Sequence, residues 1–189
     1  MSFYDKAFFV AFTPVNLLLM LFLLIWNEEK LTKPFTWAIA VAGITGIASE
    51  MTGVHTGLLF GHYQYGEVLG FKFMEVPLLI GLNWFCIVYC AYAIVLKLSG
   101  TNTNRWLLAA GTGLLATLFD WIMEPVAVKL GFWKWENDII PLYNFICWWI
   151  ISMLIGLFFF NIRLKAENPF AIYLFIIQFL FFLLLQLLL

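Results

Sequence analysis

The chain has 189 residues, of which 64% are hydrophobic and only 11% are charged. A water-soluble domain is about 45–50% apolar and about 25% charged, so this composition excludes one and indicates a chain surrounded by lipid. The net charge is −1, and the absence of a basic stripe argues against nucleic acid as a partner.

Polar and turn-forming residues divide the chain into about six apolar runs, each close to the roughly 20 residues that a membrane-spanning helix needs. The predicted spans are residues 7–26, 35–57, 75–97, 106–128, 140–162 and 169–189. They predict an all-α, polytopic membrane protein in which residues 1–189 form a single transmembrane domain in contact with membrane lipid. The first run is too long for a signal peptide and lacks a small-residue cleavage site, so we count it as a span.

The connections between the spans are of two kinds. Those at Asn27–Pro34, Ser99–Asn102 and Arg163–Pro169 are short and polar, whereas residues 58–74 and 129–139 are rich in glycine and aromatic residues. An even number of spans places both aromatic connections on one side of the membrane, together with the termini. Six of the ten lysines and arginines lie on the opposite side. The positive-inside rule therefore predicts that the short connections face the cytoplasm and that both termini lie outside the cytoplasmic membrane.

Two parts of the chain resemble each other. Glu50 precedes Gly61 by eleven residues, and Asp120 precedes Gly131 by eleven. The five residues Gly61-His62-Tyr63-Gln64-Tyr65 then match Gly131-Phe132-Trp133-Lys134-Trp135. This pattern predicts a parallel internal repeat of spans 2–3 and 4–5, related by a twofold axis along the membrane normal.

Three carboxyl side chains, those of Glu50, Asp120 and Glu124, fall inside predicted spans. A charge at the bilayer centre costs about 2.5–3.5 kcal/mol, so each acid needs a reason to be there. One interpretation is that the acids join helices by hydrogen bonds. The other is chemical: Asp120 and Glu124 are four residues apart on one helix face, where two carboxyl groups can share a proton. The result is a neutral acid beside an ionised base.

Further candidate residues lie close to these acids in the sequence. His55 follows Glu50 on the same span and is a catalytic candidate, with a structural, hydrogen-bonded histidine as the alternative. The candidate substrate-binding residues are Tyr63, Tyr65, Asn83, Trp84, Trp133, Trp135, Tyr143, Asn144 and Trp148. Aromatic faces stabilise cations, and buried amides can orient a carboxyl group or a water. A neutral acid, a base and an aromatic lining inside lipid point to protonation of an isoprenoid double bond.

The cysteines and histidines argue against a metal site. Cys86, Cys90 and Cys147 lie in apolar runs, and the two histidines stand at no ligand spacing. No glycine-rich phosphate loop follows a strand. We therefore expect no metal and no cofactor.

Six segments of the chain carry a family likeness, in this order: Glu50–Gly57, Phe60–Tyr65, Val76–Trp84, Asp120–Pro125, Gly131–Trp135 and the group Pro141, Tyr143–Phe145 and Trp148. Together they resemble the membrane carotenoid hydratases of the bisanhydrobacterioruberin hydratase type. The resemblance covers roughly residues 45–150. It implies addition of water to the terminal double bond of an acyclic carotenoid, through a tertiary carbocation, to give a tertiary alcohol.

Three other functions are compatible with parts of this pattern. A small membrane-type lycopene cyclase would form the same cation but capture it with an internal double bond. A prenyltransferase would use Asp120-x-x-x-Glu124, but it also needs a second acidic motif and cations for diphosphate, which the chain lacks. A non-catalytic carotenoid-binding or transport protein would use the acids as polar anchors or as a proton relay.

Overall fold

The structure, a computed structural model, describes residues 6–99 and 104–189. Within these ranges the helices are α1 (Lys6–Ala11), α2 (Thr13–Trp26), α3 (Lys33–Thr56), α4 (Leu79–Ser99), α5 (Arg105–Leu130), α6 (Leu142–Asn161) and α7 (Pro169–Leu188). The five helices from α3 to α7 are long and apolar enough to cross a membrane. They confirm the predicted all-α, polytopic membrane architecture. The predicted connection at Ser99–Asn102 falls mostly on residues 100–102, which lie outside the described residues.

The first predicted span differs from the prediction because it is divided into two helices at Phe12. Pro14 occupies the first turn of α2, where its missing N–H is tolerated. The same ring would clash with the carbonyl four residues earlier in a continuous helix. The resulting α2 has 14 residues and is shorter than each of the helices α3 to α7.

The aromatic connections contain short strands that the sequence pattern did not predict. Strand β1 (Tyr63–Tyr65) pairs with β4 (Trp133–Trp135), and β2 (Lys72–Phe73) pairs with β3 (Val76–Pro77), both antiparallel. Glu75 therefore lies in the turn of the β2–β3 hairpin with a φ of 65°. The third span begins at Leu79, four residues later than predicted.

The β1–β4 ribbon joins the two aromatic connections on one side of the helices. Tyr63 stands opposite Trp135, Tyr65 opposite Trp133, and Gln64 opposite Lys134. The predicted repeat makes Tyr63 equivalent to Trp133 and Tyr65 equivalent to Trp135. A twofold axis that passes between Gln64 and Lys134 produces the observed pairing of the two strands. Trp84 and Trp148 are also equivalent, since each follows a proline, Pro77 or Pro141, by seven residues. Their rings stack with centroids 3.8 Å apart and planes 4° apart, as expected for a pair beside this axis.

Helix α4 is the most buried helix, and it contacts α2, α3, α5 and α7. Glycines let α3 approach it closely. A methyl group on Gly81 would lie 2.9 Å from the carbonyl oxygen of Gly43. One turn further along α3, Gly46 makes room for the side chain of Trp84. The position of Trp84, and with it the Trp84–Trp148 stack, thus depends on the missing side chain of Gly46.

We expect the Gly46→Ala substitution to destabilise the protein by about 1–3 kcal/mol, as overpacking of a filled core does. The new methyl carbon would lie 2.6 Å from Cβ and Cδ1 of Trp84. Gly43→Ala on the same helix is the matched control, because its nearest neighbour would be 3.5 Å away. Thermal unfolding of the detergent-solubilised variants measures the difference. Equal stability of the two variants would show that Trp84 is free to move.

Candidate active site

Three buried carboxyl groups line one small cavity beside the β1–β4 ribbon. The side chains of Glu50, Asp120 and Glu124 are 4%, 1% and 2% exposed. The cavity has a volume of about 20 Å³, and about 10–15 Å³ is enough for one water. The other residues that line it are Phe60, Tyr63, Tyr65, Ile80, Asn83, Met123, Trp133, Trp135, Asn144 and Trp148. A cavity of this size and polarity can hold a single water molecule among three acids.

Glu50, near the end of α3, accepts three hydrogen bonds. The hydroxyl groups of Tyr63 and Tyr65 donate to Oε2, the latter at 2.7 Å, and Nε1 of Trp84 donates to Oε1 at 2.9 Å. The chain reverses direction at Gly57, which ends α3 in the left-handed conformation. This reversal brings β1 back to the acid.

Burial, followed by the nearby Glu50 carboxylate, raises the pKa of both tyrosine hydroxyl groups well above the usual range. Tyr63 and Tyr65 therefore stay neutral and keep donating to the carboxyl group. Two fixed donors on one oxygen hold the carboxyl group of Glu50 in one orientation.

Glu124 is held by the second strand of the ribbon. The indole N–H groups of Trp133, at 2.6 Å, and Trp135 both donate to its Oε1. Gly131, in the left-handed conformation, ends α5 and returns the chain so that β4 lies near the acid. Because an indole N–H can only donate, both tryptophans require an acceptor at this position.

Among the three acids, Asp120 accepts the fewest hydrogen bonds from the described residues. Nδ2 of Asn144 donates to its Oδ2 at 3.1 Å. The ion pairs of the described residues, His55–Glu75, Lys72–Glu67 and Lys134–Asp138, all lie outside the cavity. These ion pairs therefore place no cation beside the three carboxyl groups. Ionising all three in one buried space would cost a large free energy.

The two halves of the site are similar but not identical. Asp120 is the sequence equivalent of Glu50, yet the ring donors of β4 bond to Glu124, one helical turn later. Because of this shift, Asp120 accepts from one amide group, whereas Glu50 accepts from two tyrosine hydroxyl groups and one indole N–H. The departure from the repeat thus gives the three acids three different environments.

A larger apolar groove of about 320 Å³ adjoins the acid cavity. Its walls come from α2, α4, α5, α7 and the aromatic connections, and it shares Ile80, Asn83, Met123 and Trp133 with the cavity. The side chain of Gln178 on α7 bonds to the sulfur of Met20 on α2 across this groove, at 2.6 Å. A long apolar molecule lying in the groove would reach the acids with one end.

The structure brings most of the predicted site residues together. Besides the three acids, the cavity includes Tyr63, Tyr65, Asn83, Trp133, Trp135, Asn144 and Trp148, while Trp84 bonds to Glu50. His55 lies outside the cavity, where its Nε2 is 3.2 Å from the carbonyl oxygen of Met74. Tyr143 also lies outside, since its hydroxyl group donates to the carbonyl oxygen of Leu58 at 2.6 Å.

Several lining residues were not predicted. Phe60, Ile80 and Met123 line the cavity, but single apolar residues within apolar segments give no signal in a sequence. The contribution of α2 and α7 to the groove was also missed. Two amides in mainly apolar helices, Asn16 of α2 and Gln178 of α7, line the groove, but isolated amides in a sequence do not by themselves indicate a groove.

Comparison with known proteins agrees with the resemblance drawn from the motifs. The sequence profile of the carotenoid biosynthesis protein family matches residues 8–189. The chain is 31% identical over 122 residues to bisanhydrobacterioruberin hydratase of Haloarcula japonica. That match covers 59% of this chain and 40% of the relative, so the chain spans less than half the length of the relative. No solved structure matches the chain.

Proposed function

The chain belongs to the carotenoid biosynthesis protein family, and from this premise we propose that it adds water across the terminal double bond of an acyclic carotenoid. The observation that carries the proposal is the one-water cavity lined by Glu50, Asp120 and Glu124. A site for water beside three acids, at the end of an apolar groove, fits hydration of an apolar alkene. The name of the similar Haloarcula japonica protein, a hydratase, supports the same reaction.

The apolar groove between α2 and α7 provides a route for the substrate. Its residues are almost all apolar, and its inner end, at Asn83 and Met123, is also part of the acid cavity. A volume of about 320 Å³ accommodates an end segment rather than a complete C40 chain. The carotenoid end group therefore lies in the groove, while the rest of the polyene extends into lipid.

Asp120 is the proposed proton donor. A carboxyl group is best kept neutral where few donors stabilise its ionised form, and Asp120 accepts one described hydrogen bond, from Asn144. Transfer of its proton to the less substituted carbon of the terminal double bond leaves a tertiary carbocation. The faces of Trp133 and Trp148, which line the cavity, stabilise this cation.

Water from the cavity then forms the carbon–oxygen bond. Glu50, whose carboxylate three donors hold in place, orients the water together with Asn83. As the water attacks, it gives one proton to the ionised Glu124, and Glu124 passes this proton on to Asp120 on the preceding helical turn. The alkene has then gained one water, and both carboxyl groups have returned to their starting states. The mechanism uses no metal or redox cofactor, and it gives no role to His55 or Tyr143.

Expression in a lycopene-producing host tests the proposed function. We expect a new pigment whose mass exceeds that of the substrate by one or two waters, with Asp120→Asn as the inactive control. A pigment of unchanged mass with a new ring would make the protein a cyclase. Unchanged pigment that co-purifies with the protein would make it a carotenoid-binding protein.

We also propose that the short connections face the cytoplasm and that the β1–β4 ribbon lies outside. Cysteines placed at Asn104 and Glu136, both exposed, should react from opposite sides of the membrane. A membrane-impermeant maleimide applied to intact cells should label only the Glu136 position. The three natural cysteines are buried and should contribute little background. Labelling of Asn104 alone would reverse the orientation, and labelling of both would refute the span count.

A further inference from the structure

A second groove, of about 890 Å³, lies at the end of the helices opposite the acid cavity. It is formed by the last turns of α4 and α6, the first turn of α7 and the connection between α6 and α7. Its charged lining residues are Lys97, Arg163, Lys165 and Glu167. Three of the ten basic residues of the chain therefore line one groove together with one acid, and a second carboxylate, that of Glu28, lies next to it and accepts from Nδ2 of Asn168 at 3.2 Å.

The connection that carries two of these cations is held in place by buried anchors. The hydroxyl group of Tyr92 donates to the carbonyl oxygen of Leu164 at 3.3 Å. Asn168, which is 4% exposed, donates to the carbonyl oxygen of Leu24 at 3.0 Å and accepts from the backbone N–H of Phe170 at 3.0 Å. Both ends of the connection are thereby tied to α2, α4 and α7.

Burial alternates along this connection. Leu164, Ala166 and Asn168 are buried, whereas Arg163, Lys165 and Glu167 are exposed. The alternation turns both cations of the connection outward to the groove, which they line together with Lys97. Arg163 adopts this position with a φ of 55°, a left-handed conformation that few non-glycine residues take.

Much of the remaining lining of the groove is apolar. Leu96, Phe160 and Ile172 line it together with the cations. The ion pairs of the described residues involve other lysines, Lys72 and Lys134. Cations next to an apolar wall at the end of membrane-spanning helices match a ligand with a negative head and a hydrocarbon tail.

We propose that this groove binds an anionic phospholipid, with the headgroup phosphate against Arg163, Lys165 and Lys97 and the acyl chains along the apolar wall. A guanidinium group binds two phosphate oxygens at once, and lysine adds charge without a fixed geometry. The site lies at the other end of the helices from the acid cavity, so it goes beyond the proposed hydration and does not depend on it.

Lipid binding by the purified, detergent-solubilised protein tests the proposal. The probes are phosphatidylglycerol and phosphatidylcholine with identical acyl chains, and binding is measured by native mass spectrometry and by the shift in unfolding temperature. We expect phosphatidylglycerol to bind at least tenfold more tightly. We expect each cation that contacts the headgroup phosphate to contribute about fivefold, so R163Q/K165Q should weaken phosphatidylglycerol binding by about 25-fold.

The matched control is K30Q/K33Q, which removes two exposed lysines on the same side of the membrane but outside the groove. It should leave phosphatidylglycerol binding within twofold of the natural protein. Equal binding of the two lipids, or equal losses in the two double variants, would overturn the proposal. Glycerol phosphate is the last probe: if it displaces phosphatidylglycerol at equal concentration, the groove is a site for soluble phosphate compounds rather than for lipid. The comparison of the two lipids uses the natural protein and so remains decisive if a variant does not fold.

Discussion

The Asp120→Asn variant is expected to fold normally and to form hydrated carotenoid about 10²–10⁴-fold more slowly, which is the usual contribution of a general acid. Asparagine keeps the size of the side chain and an oxygen that can accept from Asn144. It cannot deliver the proton that starts the proposed reaction. Product formed per unit of membrane-inserted protein is the measurement.

Substitutions of three other acids provide a comparison for this result. Glu75→Gln changes a carboxylate that is 73% exposed in the β2–β3 turn, and its activity should stay within about twofold of the natural protein, because this acid does not line the cavity. Glu124→Gln and Glu50→Gln should each lower activity strongly, since one returns the proton and the other orients the water. If all three cavity variants hydrate at a near-normal rate, the acids only hold helices together and the proposed mechanism is wrong.

The helices were predictable because lipid imposes one simple requirement. Each span must be apolar over about 20 residues, and this signal survives without any knowledge of neighbouring helices. This apolar pattern correctly placed α3 to α7. It failed where the local backbone conformation determines the start or the division of a helix. Pro14 divides the first run, and the turn at Met74 and Glu75 delays the start of α4.

Most residues that line the candidate site could be predicted from the sequence, but their hydrogen-bond partners could not. A carboxyl group inside a span is costly, so Glu50, Asp120 and Glu124 could be recognised from position alone. Which donors reach which acid depends on the β1–β4 ribbon, and strands of three residues within aromatic connections have no sequence period to reveal them. The repeat predicted that Asp120 would match Glu50, but the ring donors of β4 bond to Glu124 instead.

The groove could not be predicted because it belongs to four helices at once. Individually, α2 and α7 are plain apolar segments, and only their packing leaves an open space between them. The position of His55 outside the cavity, by contrast, follows from its spacing on α3. This histidine follows Glu50 by five residues and so points to a different part of the helix surface, where it meets the β2–β3 hairpin.

Removal of the two indole donors of β4 should have the largest effect on stability. We expect Trp133→Phe combined with Trp135→Phe to destabilise the protein, because both N–H groups that bond to the buried Glu124 carboxyl group are lost. Leaving a buried polar group without its partners costs about 1–3 kcal/mol, and more for a charged group. Thermal unfolding in detergent measures the loss, with Trp121→Phe as the control, since that ring is 59% exposed.

A third substitution separates the loss of hydrogen bonds from the loss of ring volume. Adding Glu124→Met to the double variant removes the acceptor and keeps both phenylalanines. If the indoles serve the carboxyl group, the triple variant should recover part of the lost stability, because an apolar pair in place of a polar one can be nearly neutral. Recovery would show a coupling between the strand and the acid that single substitutions cannot reveal. A triple variant less stable than the double would mean that the tryptophans support the fold by packing, and that Glu124 does not depend on them.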